Sequence, residues 1–239
     1  MDTNTKRRLA AIMFTDIVGW TITMTKDETK AIELVKNQEL LLTPIIDKYN
    51  GKIIKRTGDG YLLEYSSSVE AVECAIDIQE AIKNYNSHKD NLEFHIRIGI
   101  HLGDIVVYGN DILGEGVTIA SRIESLANPD GICMTEVVYN SVKSKMDINP
   151  TRIKDVDLKH IDDKYTLYKI PDSINNDFND DKSKEIKKIT TKINKIENIH
   201  NMKGIFSLLV KTIFSLLVFG IIGFFGGYFS AWGFAPIPQ

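Results

Sequence analysis

Apolar residues recur along positions 1–171 with two alternating periods, one typical of strands and one typical of helices. Between Phe94 and His101 every second residue is apolar, which is the period of a half-buried strand. The segment Asp27–Tyr49 instead has the spacing of a helix. The full pattern predicts strands at 9–15, 52–56, 61–65 and 94–101, and helices at 27–49, 67–85 and 116–127. With further strand and helix pieces from 132 to 170, this βαββαβ order predicts an α+β, ferredoxin-like domain with extensions.

Short polar motifs mark several boundaries of these elements. Gly58-Asp59-Gly60 separates two short strands and predicts a hairpin turn. Ser67 and Glu70 have the spacing of a capping box, which predicts the start of a helix. Asn128-Pro129 predicts the end of the helix before it, because proline cannot continue a helical hydrogen-bond ladder.

The C-terminal part of the chain differs in composition from the first 171 residues. Residues 172–203 form a polar, lysine-rich linker, and residues 204–239 are almost wholly apolar. The 23 residues from Thr212 to Phe234 carry no charge, so as a helix they would span roughly 35 Å, enough to cross a bilayer core of ~30 Å. Seven lysines and two glutamates at 182–203 precede them, and such a flank favours the cytoplasmic side. We therefore expect a single-pass C-terminal membrane anchor, with the larger domain in the cytoplasm.

Small residues recur inside this expected span. Gly223, Gly227 and Ala231 lie four residues apart, a spacing that lets two membrane helices approach closely. The sequence therefore also predicts that linker and anchor help to bring two copies of the chain together.

Charge and cysteine content argue against several classes of function. The net charge of -3 gives no strongly basic face, so no nucleic-acid partner is expected. Cys74 and Cys133 lie far apart in unrelated motifs and cannot form a disulfide framework, which favours a reducing compartment. The first twenty residues lack the uninterrupted apolar core of a signal peptide.

Two aspartates lie at the ends of predicted strands. Asp16 comes at the end of a short apolar strand, and Asp59 lies at the tip of the predicted hairpin. Either could be an ordinary turn residue. In a ferredoxin-like layer, however, the first strand and this hairpin are neighbours, so the two carboxylates could share two divalent metal ions.

A glycine-rich loop precedes the helix predicted at 116–127. Thr118 and Arg122 lie four residues apart on this helix, so both can face a ligand from the same side. Taken alone, Arg122 would more often be a solvent-exposed residue of an amphipathic helix.

The combination of these segments resembles the catalytic domain of class III adenylyl and guanylyl cyclases. The resemblance covers roughly residues 7–171 and rests on RRLAAIMFTDIVGWT, KRTGDG, NDILGEGVTIASRIESLANPDGI and LKHIDDKYTLYKI, in this order and with spacing similar to the family's. It implies an enzyme that forms a cyclic nucleotide and pyrophosphate from a nucleoside triphosphate, at two sites shared between the protomers of a homodimer.

The resemblance also implies the residues of the metal site. Asp16 and Asp59 would bind two Mg²⁺ or Mn²⁺ ions, assisted by the backbone carbonyl of Ile17. The substrate phosphates would contact the backbone of the turn that follows, namely Gly19, Trp20 and Thr21.

The remaining substrate contacts implied by the resemblance lie elsewhere in the chain. Lys55 and Asp111 match the base-reading positions, and a lysine with an aspartate favours adenine over guanine, so ATP is the favoured substrate. Arg122 matches the arginine that stabilises charge on the α-phosphate in the transition state, and Lys159 matches a late lysine that contacts the triphosphate.

Two positions depart from the family pattern. Thr118 stands where the family usually has an asparagine that orients the ribose, which implies weaker activity. His160 stands where glycine is common, which blurs the assignment of Lys159. His101 has no second histidine or cysteine at ligand spacing, so we interpret it as a structural residue at the end of a strand.

Three other functions remain open from the sequence. A guanylyl cyclase is disfavoured by Lys55 and Asp111, whereas a cyclase of pyrimidine nucleotides, of the kind used in antiphage signalling, is disfavoured less strongly. A degenerate domain that binds nucleotide without turnover is disfavoured by Asp16, Asp59 and Arg122.

Overall fold

Eight strands and five helices make up residues 6–170 of the computed structural model, which is the part of the chain that the structure describes. In chain order they are β1 (Lys6–Ile17), α1 (Trp20–Lys26), α2 (Glu28–Lys48), β2 (Lys52–Arg56), β3 (Tyr61–Tyr65), α3 (Ser68–Asn86), β4 (Ile96–Tyr108), β5 (Asp111–Leu113), α4 (Glu115–Glu124), β6 (Ile132–Thr135), α5 (Glu136–Val142), β7 (Thr151–Asp157) and β8 (Lys164–Ile170).

All eight strands belong to one mixed sheet. Its order is β2-β3-β1-β4-β6-β8-β7, and the short β5 pairs with β4. The pair β4–β6 is parallel and the other pairs are antiparallel. The predicted α+β class is therefore confirmed, and β1 lies between β3 and β4, as the predicted ferredoxin-like layer requires.

The two faces of the sheet are covered differently. Tyr65 points to the face covered by α3, where its hydroxyl lies 3.0 Å from Cys74 Sγ. The opposite face is covered by α4, and its core contains Ile12, Leu62 and Ala120. At Gly99 of β4 an added Cβ would lie 2.4 Å from the backbone nitrogen of Glu124, so α4 packs directly on the strand. We call this side of the sheet the α4 face.

Several predicted boundaries are confirmed. The strands β2 and β3 have the predicted bounds. Ser67 Oγ accepts hydrogen bonds from the backbone N–H of Val69 (3.2 Å) and of Glu70 (3.5 Å), as the capping motif predicted. The carboxylate of Glu70 instead accepts a hydrogen bond from Asn50 Nδ2 at 3.0 Å, which joins the start of α3 to the loop after α2.

Two local predictions were wrong. The strand predicted to end at His101 continues to Tyr108, because β1 pairs with it as far as Val107 and β5 pairs with its last three residues. The segment after Gly19 was expected to be only a turn, but it forms the helix α1, which packs against α2.

His101 therefore lies inside a strand, where it is 7% exposed. Its Nδ1 is 3.0 Å from Thr135 Oγ1, and its ring meets that of Tyr165 edge to face. Burial lowers the pKa of His101 to about 4, so the side chain is neutral at pH 7. These contacts agree with a structural role.

We expect His101→Gln to make the fold less sensitive to acid. Because the folded-state pKa lies below the ordinary value of 6.5, the contribution of His101 is complete above pH 6.5 and is lost as the pH falls towards 4. The free energy of unfolding is measured by denaturant titration at pH 7 and near pH 4.5. Its fall between these two pH values should be smaller in the variant than in the wild type, by an amount on the order of 2 kcal/mol. His88→Gln, at an exposed histidine, is the control and should leave this difference unchanged.

The predicted linker at 172–203 and the predicted anchor at 204–239 lie outside the described residues, as does the domain boundary at 171. Within residues 6–170, none of the helices combines the length and apolar character needed to span a bilayer.

Candidate active site

The end of β1 and the tip of the β2–β3 hairpin meet with almost no space between them. A Cβ at Gly60 would lie 1.7 Å from the carbonyl oxygen of Thr15, so only glycine fits there. The backbone N–H of Tyr61 donates to Thr15 Oγ1 at 3.0 Å and holds the two segments together. This close approach brings Asp59, just before Gly60, beside Asp16, as the sequence predicted.

Asp59 contacts the residue that follows Asp16 in the chain, so the two acidic side chains are neighbours. Asp59 is 7% exposed, and its Oδ2 accepts a hydrogen bond from the backbone N–H of Ile17 at 3.0 Å. Burial, together with Asp16, raises the pKa of Asp59 to about 6. Two facing carboxylates that disfavour each other's charge fit a hard divalent cation, which binds oxygen ligands and removes that repulsion. Ile17 lies at this point too, while the use of its carbonyl as a ligand stays a prediction.

The segment predicted to contact phosphates begins at Gly19. Gly19 has φ 76°, a left-handed conformation that favours glycine, and it precedes the first residue of α1. Trp20 is half-buried and Thr21 is exposed. Phosphate contacts by Gly19, Trp20 and Thr21 stay a prediction.

The two predicted base-reading residues lie in contact. Lys55 of β2 and Asp111 of β5 form an ion pair with Nζ 2.5 Å from Oδ2. A hydrogen bond from Lys55 lowers the pKa of Asp111, while the other carboxylate oxygen accepts from the backbone N–H of Ile112 at 2.8 Å. A hydrogen-bond donor and an acceptor thus stand side by side where β2 and β5 meet, although 56 residues separate them in sequence.

Thr118 and Arg122 project from one side of α4. Thr118 is exposed, and its hydroxyl donates to the carbonyl oxygen of Gly114 at 3.4 Å. Within residues 6–170, Arg122 makes no hydrogen bond or ion pair through its side chain, and its buried Nε has no partner. A guanidinium without a partner is suited to an anionic ligand.

Lys159 lies in the loop between β7 and β8 and is exposed. Its neighbour His160 has φ 64°, a left-handed conformation that favours glycine. His160 lines an open cleft together with Thr118 and Glu115, so this loop lies beside the start of α4. A phosphate contact by Lys159 stays a prediction.

Two charged residues of this site, Arg97 and Glu124, are not among those predicted from the sequence. Arg97 lies opposite Asp16 in the β1–β4 register, and its guanidinium forms an ion pair with that carboxylate. Arg97 Nε is also 3.1 Å from Glu124 Oε1, although the two are not aligned for a hydrogen bond. Burial, reinforced by Asp16, raises the pKa of Glu124 to about 7. Only strand pairing reveals this contact, because Asp16 and Arg97 are 81 residues apart.

Comparison with known families identifies the domain. Residues 4–171 match the model of the family described as the adenylate and guanylate cyclase catalytic domain. The chain belongs to this family. The resemblance seen in the sequence motifs is thereby confirmed, and the two carboxylates, the Lys55–Asp111 pair and Arg122 lie within the matched region.

Individual proteins agree with this assignment. The chain is 39% identical over 147 residues to putative adenylate cyclase 3 of Rhizobium meliloti, covering 60% of this chain but only 25% of that protein. It is 30% identical over 127 residues to an adenylate cyclase of Streptomyces coelicolor, covering 53% of this chain and 32% of that protein. The chain thus spans a third or less of the length of these two relatives.

A solved structure described as an adenylate/guanylate cyclase/hydrolase from Silicibacter pomeroyi superposes with a TM-score of 0.64 at 30% identity, over 70% of this chain and 98% of that one. The adenylyl cyclase CyaB of P. aeruginosa superposes with a TM-score of 0.63 at 23% identity, over 74% and 100% of the two chains, and shows the same fold.

Proposed function

We propose that this cyclase domain converts ATP to 3′,5′-cyclic AMP and pyrophosphate for second-messenger signalling. The observation that carries the choice of base is the contact between Lys55 and Asp111. The ammonium group can donate to a ring nitrogen of adenine, and the carboxylate can accept from its exocyclic amine. Guanine presents a carbonyl oxygen at that position and would leave the carboxylate without a donor, which costs about 1–3 kcal/mol. The relative named as a putative adenylate cyclase supports the same choice.

Asp16 and Asp59, with the backbone of Ile17, would hold two divalent ions, Mg²⁺ or Mn²⁺. When bound, such ions supply activation of the ribose 3′-hydroxyl and offset the charge of the triphosphate. The turn from Gly19 to Thr21 then contacts the phosphates through its backbone. The α-phosphorus is attacked by the 3′-oxygen, and pyrophosphate leaves.

The side of α4 turned away from the sheet supplies the remaining groups. The guanidinium of Arg122, which has no side-chain partner within residues 6–170, stabilises charge on the α-phosphate, and the hydroxyl of Thr118 orients the ribose. Lys159, beside the start of α4, contacts the triphosphate. Because the Thr118 hydroxyl already donates to the backbone and is shorter than an asparagine side chain, turnover is expected to be slower than with asparagine.

The geometry of α4 supports a site shared by two copies of the chain. Glu124 faces Arg97 and through it Asp16, and two helical positions separate Glu124 from Arg122. Two positions turn a helix by about 200°, so Arg122 and Thr118 point away from the Asp16 of their own chain. We therefore propose a homodimer in which the metal half of each site comes from one protomer and α4 from its partner.

Exchanging the base-reading residues tests the choice of ATP. The double variant Lys55→Glu with Asp111→Cys should lower the ratio of ATP to GTP turnover by about tenfold or more, because donor and acceptor are reversed at the purine edge. Both residues are changed together, since each is the other's ion-pair partner. The rates are measured on the full chain with Mn²⁺ and each of the four nucleoside triphosphates.

The matched control is Lys52→Glu, the same charge reversal at an exposed position of the same strand, which should leave the ratio unchanged. Full retention of the ATP preference in the double variant would show that the pair does not read the base. A wild-type chain that favours CTP or UTP would make it a pyrimidine cyclase, and one that turns over no nucleotide would make it a degenerate domain.

We also propose that residues 204–239 anchor the chain in a membrane. The uncharged run from Thr212 to Phe234 and the lysines that precede it support this. Fractionation should place the full chain in the membrane pellet, and recovery in the soluble pool would contradict the anchor. Gly223→Ile with Gly227→Ile should keep the chain in the membrane but lower its activity, if the small residues help to pair two copies.

A further inference from the structure

A cavity beside α3 lies apart from the groups proposed to bind the nucleotide. Its volume is about 340 Å³, which is within the range of small-molecule pockets, and it lies where α3 passes the start of β4 and the loop before β6. Among residues 6–170, none of those placed in the candidate active site lines it. Its lining includes Gln79, Glu80, Lys83, Glu93, His95 and Asp130.

A buried amide of α3 presents one acceptor to this cavity. Gln79 is 6% exposed, and its Nε2 donates to the backbone carbonyl oxygens of Ile96 at 3.3 Å and of Gly131 at 3.2 Å. These bonds turn the nitrogen toward β4 and the start of β6, so the amide oxygen Oε1 is turned the other way, toward the cavity. Within the part of the chain that the structure describes, this buried oxygen has no hydrogen-bond partner. Buried amide oxygens in folded proteins almost always accept a hydrogen bond, so this one indicates a donor that the chain itself does not supply.

The loop before β6 adds a carboxylate that is held in a similar way. Asp130 Oδ2 lies 2.6 Å from Nδ1 of His95, and the backbone N–H of Asp130 donates to the carbonyl oxygen of Ile96 at 2.9 Å. The other carboxylate oxygen, Oδ1, is buried and has no partner within residues 6–170. Because Gln79 and Asp130 both donate to the carbonyl of Ile96, the two residues lie side by side in the wall of the cavity.

The charges around the cavity determine which ligands it can take. The carboxylates of Glu80, Glu93 and Asp130 outnumber the single ammonium of Lys83, so an anion would be repelled. In the described part of the chain, these acids and His95 are not arranged to hold a metal ion. An organic ammonium group remains, and it fits because it offers three N–H donors and accepts no hydrogen bond.

We propose that this cavity binds an aliphatic diamine, with one ammonium on Gln79 Oε1 and Asp130 Oδ1 and the second between the carboxylates of Glu80 and Glu93. Lys83 lies three positions after Glu80 on α3, so its own ammonium competes with the ligand for these carboxylates. The acids and Lys83 therefore have opposite effects on binding, which a purely structural group of charges would not have. Binding of the diamine does not require cyclase activity, because no group of the candidate active site takes part.

Binding is measured by isothermal titration calorimetry of the full chain with putrescine, at about pH 8, where aliphatic amines carry their proton. We expect saturable binding of putrescine, about tenfold weaker binding of butylamine, which has one ammonium, and none of butanediol, which has the same chain length without charge. Asp130→Asn should raise the dissociation constant for putrescine about tenfold, because a charged acceptor becomes neutral. Lys83→Gln should lower it about threefold, because a competing cation is removed.

Asp130→Asn is a conservative change, because Asp130 has φ 57°, a left-handed conformation that asparagine also adopts. The control for charge is Glu33→Gln, at an exposed glutamate of α2, and the control for location is Asp59→Asn in the candidate metal site. Both should bind putrescine like the wild type. Thermal unfolding without amine reports whether each variant is folded. If Asp130→Asn does not fold, the exposed Glu93→Gln carries the test, with an expected rise of about threefold in the dissociation constant.

Absence of saturable putrescine binding would overturn the inference, since ordered water would then satisfy Gln79 and Asp130. Wild-type affinity in Asp130→Asn, weaker binding in Lys83→Gln, or equal binding of butanediol would also overturn it. Loss of binding in Asp59→Asn would place the amine at the metal site and would overturn it too. The proposed cyclase function is tested separately by nucleotide turnover, so none of these results decides it.

Discussion

Asp59→Asn and Asp16→Ala are each expected to abolish cyclic nucleotide formation, by a factor on the order of 10³ or more. Each change removes a ligand from the metal site, and a bound ion supplies several kcal/mol of charge stabilisation in the transition state. Asp59→Ala should behave in the same way. The measurement is initial velocity with saturating Mn²⁺ and ATP on the full chain.

The melting temperature distinguishes a variant that has lost the metal site from one that has lost the fold. The pKa of Asp59 is raised by burial and by Asp16, so an uncharged asparagine relieves an unfavourable charge in the metal-free protein. The melting temperature of Asp59→Asn without metal should equal or exceed that of the wild type at pH 7, while the rise in melting temperature caused by Mn²⁺ disappears. Asp47→Asn, at an exposed aspartate of α2, is the control with full activity. More than a tenth of the wild-type rate in Asp16→Ala or Asp59→Ala would rule out the metal assignment.

Arg122→Ala should be as inactive as Asp16→Ala, yet a mixture of the two inactive chains should regain activity. In a homodimer with shared sites, the mixed dimer has one site with both halves intact and one with both halves damaged. Random pairing of equal amounts makes half of the dimers mixed, so the mixture should reach roughly a quarter of the wild-type specific activity.

The control mixture combines Asp16→Ala with Asp59→Ala. Both changes lie in the same half of the site, so every site in the mixed dimer is damaged and no activity should return. If activity also returns in this control, the recovery does not depend on combining an intact metal half from one chain with an intact α4 from the other. Absence of recovery with Arg122→Ala, when mixed dimers are shown to form, would refute the shared site.

The features that the sequence predicted correctly depend on residues that lie close together in the chain. The bounds of β2 and β3, the turn between them and the cap at Ser67 depend on side-chain alternation and on contacts within a few residues, which a sequence states directly. The motifs around Asp16, Asp59, Asp111 and Arg122 identified the family for the same reason, because each is a continuous segment whose residue types and spacing can be read in order.

Contacts between distant residues had to come from the fold. The strand that was expected to end at His101 runs to Tyr108 because β1 and β5 pair with it, and partners elsewhere in the chain leave no local signal. The helix α1 was not predicted, because it is short and none of its residues is buried, so its sequence has no apolar stripe of helical period. Its neighbour in the fold is α2.

The contacts among Asp16, Asp59, Arg97 and Glu124 show most clearly what the sequence predicts and what only the fold determines. The sequence offered Asp16 and Asp59 as a pair only through an assumed fold, and the contact between them depends on Gly60 lying against the backbone of Thr15. In the sequence, Arg97 is a polar residue of an alternating strand, and Glu124 is one residue of the helix predicted at 116–127. The antiparallel register of β1 and β4 places Arg97 opposite Asp16, and the packing of α4 on Gly99 adds Glu124. Periodicity along the chain determines which residues share a face, but only strand pairing and helix packing determine which of them meet, because those distances depend on segments that the local sequence does not contain.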